Sequence, residues 1–303
     1  MIRREWTAVA LVGGLVFLGA IASADQTPVF RSSVETVVVN VAVTRRGAPV
    51  TGLTAADFVL LDNGHPQTVG TLLEATPIDV TFLTESINRL VDPDLARVKG
   101  LAALASRVGA LLRPDDRLRV LEASDQVREA RPMKDMSSPL GQGQLRLSNG
   151  SSLIDAVFHA LARPVTPGRR HMVALFTDGM DGRSSTLEPE LLPLIAAKSD
   201  AVLHAILLAT PTANRLGGLR GQMDEWEKSH AAVLRAVERT GGAVHHGARS
   251  DERLAKALEH FRSSYALHYT PRDVERDGWH EIKVTLPNHP GVEIHARKGY
   301  GGG

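Results

Sequence analysis

Three oxygen-bearing segments carry the residue types that chemistry would need: Thr84-Glu85-Ser86-Ile87-Asn88, Asn149-Gly150-Ser151-Ser152 and Thr177-Asp178-Gly179-Met180-Asp181. Each concentrates hydroxyls, amides or carboxylates, and none contains a thiol or an imidazole. A cation held by such a set would be hard, of the Mg²⁺ or Ca²⁺ kind. The sequence has no Gly-x-Ser-x-Gly elbow, no His-Glu-x-x-His helix and no Gly-x-x-x-x-Gly-Lys phosphate loop, so a hydrolase ranks behind a non-catalytic reading. Adjacent residues on a strand point to opposite faces, which makes His245-His246 two separate side chains rather than one site. Asp155, four residues past Ser151, reads as ordinary stabilisation of a helix N-terminus. Ser151 and Ser152 read either as ligands or as capping and first-turn residues of the same helix.

The elements that must position these segments alternate between strand and helix. Apolar runs at 78–83, 118–121, 172–176, 202–208 and 243–245 predict strands. Helical spacing predicts helices from Leu95 to Leu112, where Pro114 stops them, and over 153–161, 187–197, 224–239 and 251–263. The helix at 224–239, with Trp226 among Glu225, Glu227 and Lys228, is amphipathic, and its arginines and glutamates read as a solvated face rather than a partner groove. This alternation predicts an α/β fold: a doubly wound, mostly parallel sheet with helices on both faces, whose ligands collect beyond the carboxyl ends of the strands. Both ends of the chain are β-like instead. Val37, Val39, Val41 and Val43 alternate, 58–61 is a short apolar run, and Asn63-Gly64 supplies the two positive-φ positions of a tight hairpin. The tail repeats that character at 265–269, 279–286 and 292–297. Too few to stand alone, the end strands are expected to pair into one small β module or to extend the central sheet.

Composition bounds the partners. The 303 residues are 43% hydrophobic with no Cys, which describes a folded globular chain. Only 4% are aromatic and the formal charge is +1, which excludes nucleic acid as the expected partner. Residues 1–24 read as a secretory signal: Arg3 and Arg4, an apolar run over 6–22, and Ala22-Ser23-Ala24 as the cleavage pattern. The mature chain then begins at Asp25 and is formally neutral, because the segment removes two basic and one acidic residue from totals of 35 and 34. The expected compartment is periplasmic or extracellular, with membrane contact only through an uncleaved segment. The domains are therefore 1–24 signal, 25–76 N-terminal β segment, 77–264 α/β domain and 265–303 C-terminal β segment.

The quoted segments resemble the von Willebrand factor type A domains, and most closely the bacterial subgroup in which that domain lies between flanking β segments. The resemblance spans nearly the whole mature chain: VVVNVAVTRRGAPVTGLTAADFVLLDNG, NGSSLIDAV, LFTDGMDGRS, YALHYTP and EIHARKGY. It implies a metal-ion-dependent adhesion site in which a first loop gives Asp-x-Ser-x-Ser, a second a Thr and a third an Asp, with a partner carboxylate completing the shell. Carried over, these positions fall on Thr84, Ser86, Asn88, Ser151 and Asp178. The site is degenerate, since Thr84 stands where the family has a carboxylate, leaving Asp178 as the only anion. Glu85, Ser152 and Asp181 border it as a binding rim, with Glu85 and Asp181 able to compensate. The resemblance thus implies a non-catalytic, exported protein-binding module with an unidentified protein partner, with Mg²⁺ or without metal. A structural envelope component with a decayed site is the alternative, and a hydrolase the third reading.

Overall fold

The computed structural model describes residues 36–73, 76–85, 108–136, 150–207, 220–245 and 250–303. The signal segment, Ser86, Asn88, Asn149 and the expected helix before residue 108 lie outside the described residues.

Fifteen strands and four α-helices run along these segments. The first five strands are β1 (Val37–Arg45), β2 (Ala48–Pro49), β3 (Val59–Asp62), β4 (His65–Gln67) and β5 (Thr71–Leu73). The α/β part follows with β6 (Ile78–Glu85), β7 (Arg117–Ala123), β8 (Val127–Asp135), α1 (Leu153–Leu161), β9 (Arg170–Thr177), α2 (Leu192–Lys198), β10 (Val202–Leu207), α3 (Arg220–Thr240), β11 (Val244–His245) and α4 (Ser250–Arg262). The tail gives β12 (Tyr265–Tyr269), β13 (Gly278–Thr285), β14 (Glu293–Ala296) and β15 (Gly299–Gly302).

The central sheet has the order β11-β10-β9-β6-β7-β8. All neighbours are parallel except β7 and β8. Numbered by their own sequence order, these strands read 3-2-1-4-5-6 from the β8 edge, the doubly wound arrangement with its switch point between β6 and β9. Every residue of β6 and of β9 is buried, as strands covered on both faces require. Along β6 the two faces separate by residue parity. Ile78, Val80 and Phe82 pack with Leu254, Leu258 and Phe261 of α4, whereas Leu83 packs with α1, α2 and α3.

Two small sheets are built from both chain ends, one ordered β14-β1-β12-β5 with β2 attached and one ordered β15-β13-β3-β4. The alternating valines of β1 bury against Leu60, Tyr265, Leu267, Ile282 and Tyr300 in one shared core. The opposite face of β1 turns to the α/β part, where Asn40 Oδ1 accepts a hydrogen bond from Arg170 at 3.1 Å. Asn63 and Gly64 have φ of 46° and 81°, and β3 and β4 form the expected hairpin around them.

Three expectations needed correction. β8 was not anticipated: it is an edge strand of alternating charge, Arg128, Glu129, Arg131 and Lys134, with little apolar signal to detect. The expected helix over 187–197 starts late, because Pro189 and Pro193 lack the amide a helix interior uses; a 3₁₀ turn over Pro189–Leu191 precedes α2. Residues 299–302, beyond the last predicted strand at 292–297, form β15, which pairs with β13, and a Cβ on Gly302 would lie 2.2 Å from the Arg276 carbonyl oxygen just before that strand.

Candidate functional site

Glu85 is the last residue of β6, and Asp178 follows the last residue of β9, so both stand at the carboxyl ends flanking the switch point. Glu85 shares the face of Leu83, which looks toward α1, and Ser151 sits just ahead of that helix. The Ser151 hydroxyl accordingly donates to Glu85 Oε1 at 2.8 Å, and the Asp178 amide donates to Oε2 at 2.8 Å. Burial, and then the charge of Asp178, push Glu85 up to about 8, against hydrogen bonds from Thr177, Ser151 and the Asp178 amide that pull it down. Glu85 is 2% exposed, so this carboxyl meets the protein rather than bulk water.

Thr84 does something else. It lies on the opposite face of β6, is buried, and donates its hydroxyl to the Glu85 carbonyl at 3.3 Å. The carboxylate that meets Ser151 and Asp178 is therefore one residue later than the motif carry-over placed it. Among the five carried positions, the described residues Ser151 and Asp178 come together around Glu85, Thr84 turns away, and Ser86 and Asn88 lie outside the described residues.

The surrounding loops are held by a second layer of carboxylates. Asp181 Oδ1 accepts from the Leu153 amide at 2.9 Å and from the Ser184 hydroxyl at 2.8 Å. It thereby caps α1 from across the site, in place of Ser152, whose side chain makes no capping bond. Burial raises the Asp181 pKa. Asp155 binds the same loop further on, accepting from the amides of Ser185, Thr186 and Leu187 at 2.9–3.1 Å. It is a loop anchor, not a residue that merely offsets the helix dipole. The Ser152 hydroxyl oxygen is buried and has no hydrogen-bond partner among the described residues.

From above, α3 clamps the Asp178 turn. Trp226 Nε1 donates to the Asp178 carbonyl at 3.0 Å, and Ser229 Oγ donates to the Gly179 carbonyl at 3.2 Å. His230 stacks on Trp226 with ring centroids 4.8 Å apart. Gly179 is required here: φ is +86°, and a Cβ would lie 2.5 Å from His230 Nδ1. Glu225, Glu227, Arg235 and Glu238 of α3 are exposed, as the sequence reading has them, while Trp226, Ser229 and His230 pack on the Asp178 turn; a lone Trp among charges was the sequence signal for that contact.

No protein-family model matches the sequence, and no curated protein matches it. Solved structures similar to this chain include an aerotolerance-related membrane protein from Bacteroides fragilis, at 15% identity and TM-score 0.42 over 61% of this chain and 98% of that one. A von Willebrand factor type A protein from Catenulispora acidiphila aligns at 10% identity and TM-score 0.44 over 89% and 75%. Proximal thread matrix protein 1 from the mussel byssus, with a zinc-occupied MIDAS motif, aligns at 14% identity and TM-score 0.44 over 65% and 48%. By its own strand order the chain has a doubly wound fold with one antiparallel edge strand, in keeping with the architecture that the resemblance to von Willebrand factor type A domains implies.

The adhesion-site cation of that fold can be tested against these residues. Two carboxyl groups, Glu85 and Asp178, stand close enough for one to disfavour ionisation of the other, with the Ser151 hydroxyl on the same carboxyl and the Ser152 hydroxyl buried without a partner. An all-oxygen set with two convergent carboxyl groups suits a hard divalent cation, which would relieve their mutual repulsion. The residues fit. Among the described residues no helix is long and apolar enough to cross a membrane.

Proposed function

We propose that this protein is a non-catalytic, exported protein-interaction module whose recognition surface is the rim around Glu85, Ser151 and Asp178. The observation that carries this reading is the convergence of Glu85 and Asp178 at the switch point, where a one-residue shift from Thr84 supplies the carboxylate that the motif lacks. Glu85, Asp178 and Ser151 would hold Mg²⁺ or Mn²⁺, which when bound would supply a Lewis-acidic position for a carboxylate of the partner. Beside the rim lies a groove of about 420 Å³ lined by Asp181, Ser184, Glu188, Glu190, Asp224 and Lys228. Its mostly acidic lining favours a partner segment that also carries Lys or Arg. The leader of residues 1–24 directs the chain out of the cytoplasm, and the division at 76/77 and 264/265 separates the flanking β segments from the binding domain.

Calorimetric titration with Mg²⁺ and Mn²⁺ tests the site. Glu85→Gln and Asp178→Asn each weaken binding by about tenfold to a hundredfold, the equivalent of one charge-assisted contact. Thr84→Val leaves it unchanged. Thr84→Asp, which would restore a ligand in the carried-over register, instead buries a carboxyl on the apolar face shared with Phe82 and destabilises the fold. No cation binding by the wild type, or a gain on Thr84→Asp, refutes the assignment. A pull-down from an envelope fraction, with and without chelator, then tests whether partner capture follows the cation; rim-independent capture favours the structural-component reading.

A further inference from the structure

A second group of potential ligands lies elsewhere in the fold and is chemically unlike the rim. His204 is the third residue of β10, His245 the last of β11, and His260 lies in the final turn of α4. The parallel register sets Ile206 beside His245, so the two strands bring His204 and His245 together, and α4 lays His260 across them. His204 Nδ1 and His245 Nε2 are 2.9 Å apart. The ring centroids of His204 and His260 are 5.5 Å apart, and those of His245 and His260 are 6.1 Å apart. One nitrogen from each ring lies within 4.8 Å of the other two.

We propose that His204, His245 and His260 form a binding site for a borderline first-row transition-metal ion, Zn²⁺ or Cu²⁺, separate from the oxygen-lined rim. Three observations converge on it. The 2.9 Å contact between His204 Nδ1 and His245 Nε2 is a hydrogen bond that already holds these two rings within mutual reach. His204 Nε2 is buried with no hydrogen-bond partner among the described residues, a cost that a ligating role would relieve. Finally, His245 and His260 are only partly buried, which leaves an approach for an ion and room for the rings to turn. Tetrahedral Zn²⁺ with Zn–N of about 2.0–2.1 Å needs ligand nitrogens about 3.3 Å apart, so closing the set requires ring movements of roughly 1.5 Å.

The chemistry of the donors fixes the metal class. Three neutral imidazoles and no carboxylate discriminate against Mg²⁺ and Ca²⁺ and suit Zn²⁺ and Cu²⁺. His295 stands at the edge, 6.2 Å from His260 by ring centroid, with Nε2–H donated to the Gly242 carbonyl at 2.7 Å. That bond leaves Nδ1 as its acceptor. The bound ion would tie the two-residue edge strand β11 and its neighbour β10 to α4, so its effect is a clamp on the sheet edge. This assignment does not depend on the rim reading.

The test uses the full mature chain without a polyhistidine tag, stripped with chelator and titrated with Zn²⁺ by calorimetry and thermal unfolding, and with Cu²⁺ by electron paramagnetic resonance. One Zn²⁺ per chain raises Tm, a thousandfold excess of Mg²⁺ does not displace it, and Cu²⁺ shows nitrogen hyperfine structure. His260→Ala and His245→Gln each weaken Zn²⁺ at least about tenfold, whereas Asp178→Asn does not. Urea midpoints of the variants verify that each folds, and two independent positions guard against a local packing defect. Equal Zn²⁺ affinity in wild type and both histidine variants, loss on Asp178→Asn alone, or oxygen-only Cu²⁺ coordination overturns the proposal.

Discussion

Replacing Asp155 separates two physical roles by their size. An exposed acidic residue near a helix N-terminus contributes about 0.3–1 kcal/mol through the dipole. In this structure Asp155 is 5% exposed, and its two carboxylate oxygens take the amides of Ser185, Thr186 and Leu187, while its own amide donates to the Ser184 hydroxyl oxygen at 3.0 Å. Hydrogen bonds to a charged group contribute about 1.5–3 kcal/mol each, so three would total about 5 kcal/mol at the lower bound. Ser185 and Thr186 are exposed, however, and their freed amides regain water, which lowers the expected cost of Asp155→Ala to about 3 kcal/mol. Asp155→Asn keeps one acceptor oxygen and should cost about half as much. Urea unfolding with unchanged m-values measures both. Because Ser184 also bonds Asp181, which caps α1, Asp155→Ala should loosen the rim and weaken Mn²⁺ binding alongside stability. A cost below about 1 kcal/mol for Asp155→Ala would leave only the dipole and refute the anchoring argument.

Gly179→Ala should cost about 2–3 kcal/mol, since it adds a left-handed penalty to a Cβ placed 2.5 Å from His230 Nδ1; a neutral Tm would show that the turn relaxes freely. His171, buried in β9 with Nε2 2.8 Å from Thr81 Oγ1, is held by burial down to about 4. Its folded pKa lies below the unfolded value of about 6.5, so the unfolded state takes up the proton first, and its stability contribution is present above pH 6.5 and falls away toward pH 4. The difference amounts to about 3 kcal/mol at pH 4. His171→Gln should flatten the acid limb of a stability–pH curve by that amount, and superimposable limbs would refute it.

The fold was legible where burial is symmetric or alternation is strict. β6 and β9 carry apolar residues on both parities because both faces are covered, and the valines of β1 alternate because one face meets the sandwich core while Asn40 meets Arg170. The pairing of the two chain ends followed from the same logic, since neither set of strands has enough neighbours alone. Legibility failed where a strand is held by its neighbour rather than by its own pattern. β8 is a charged edge, and β15 is chosen for the absence of side chains against β13. Local propensity describes neither case, because the determining contact is remote in sequence.

At the site the limiting factor was a single residue of register. Along a strand, one step moves a side chain to the other face, so a motif alignment off by one exchanges a ligand for a core residue. Composition could not choose between Thr84 and Glu85, since both carry oxygen and both are buried. The deciding signal was present nevertheless: Phe82 and Leu83 belong to opposite cores, and only the parity of Leu83 reaches α1 and Ser151. The histidine cluster shows the converse. His246 lies outside the described residues, and parity along one strand says nothing about a neighbouring strand: His204 joins His245 across the β10–β11 pair from 41 residues away. Reading pairs of strands in register, rather than spacing within one, is what exposes both the carboxylate site and the imidazole cluster.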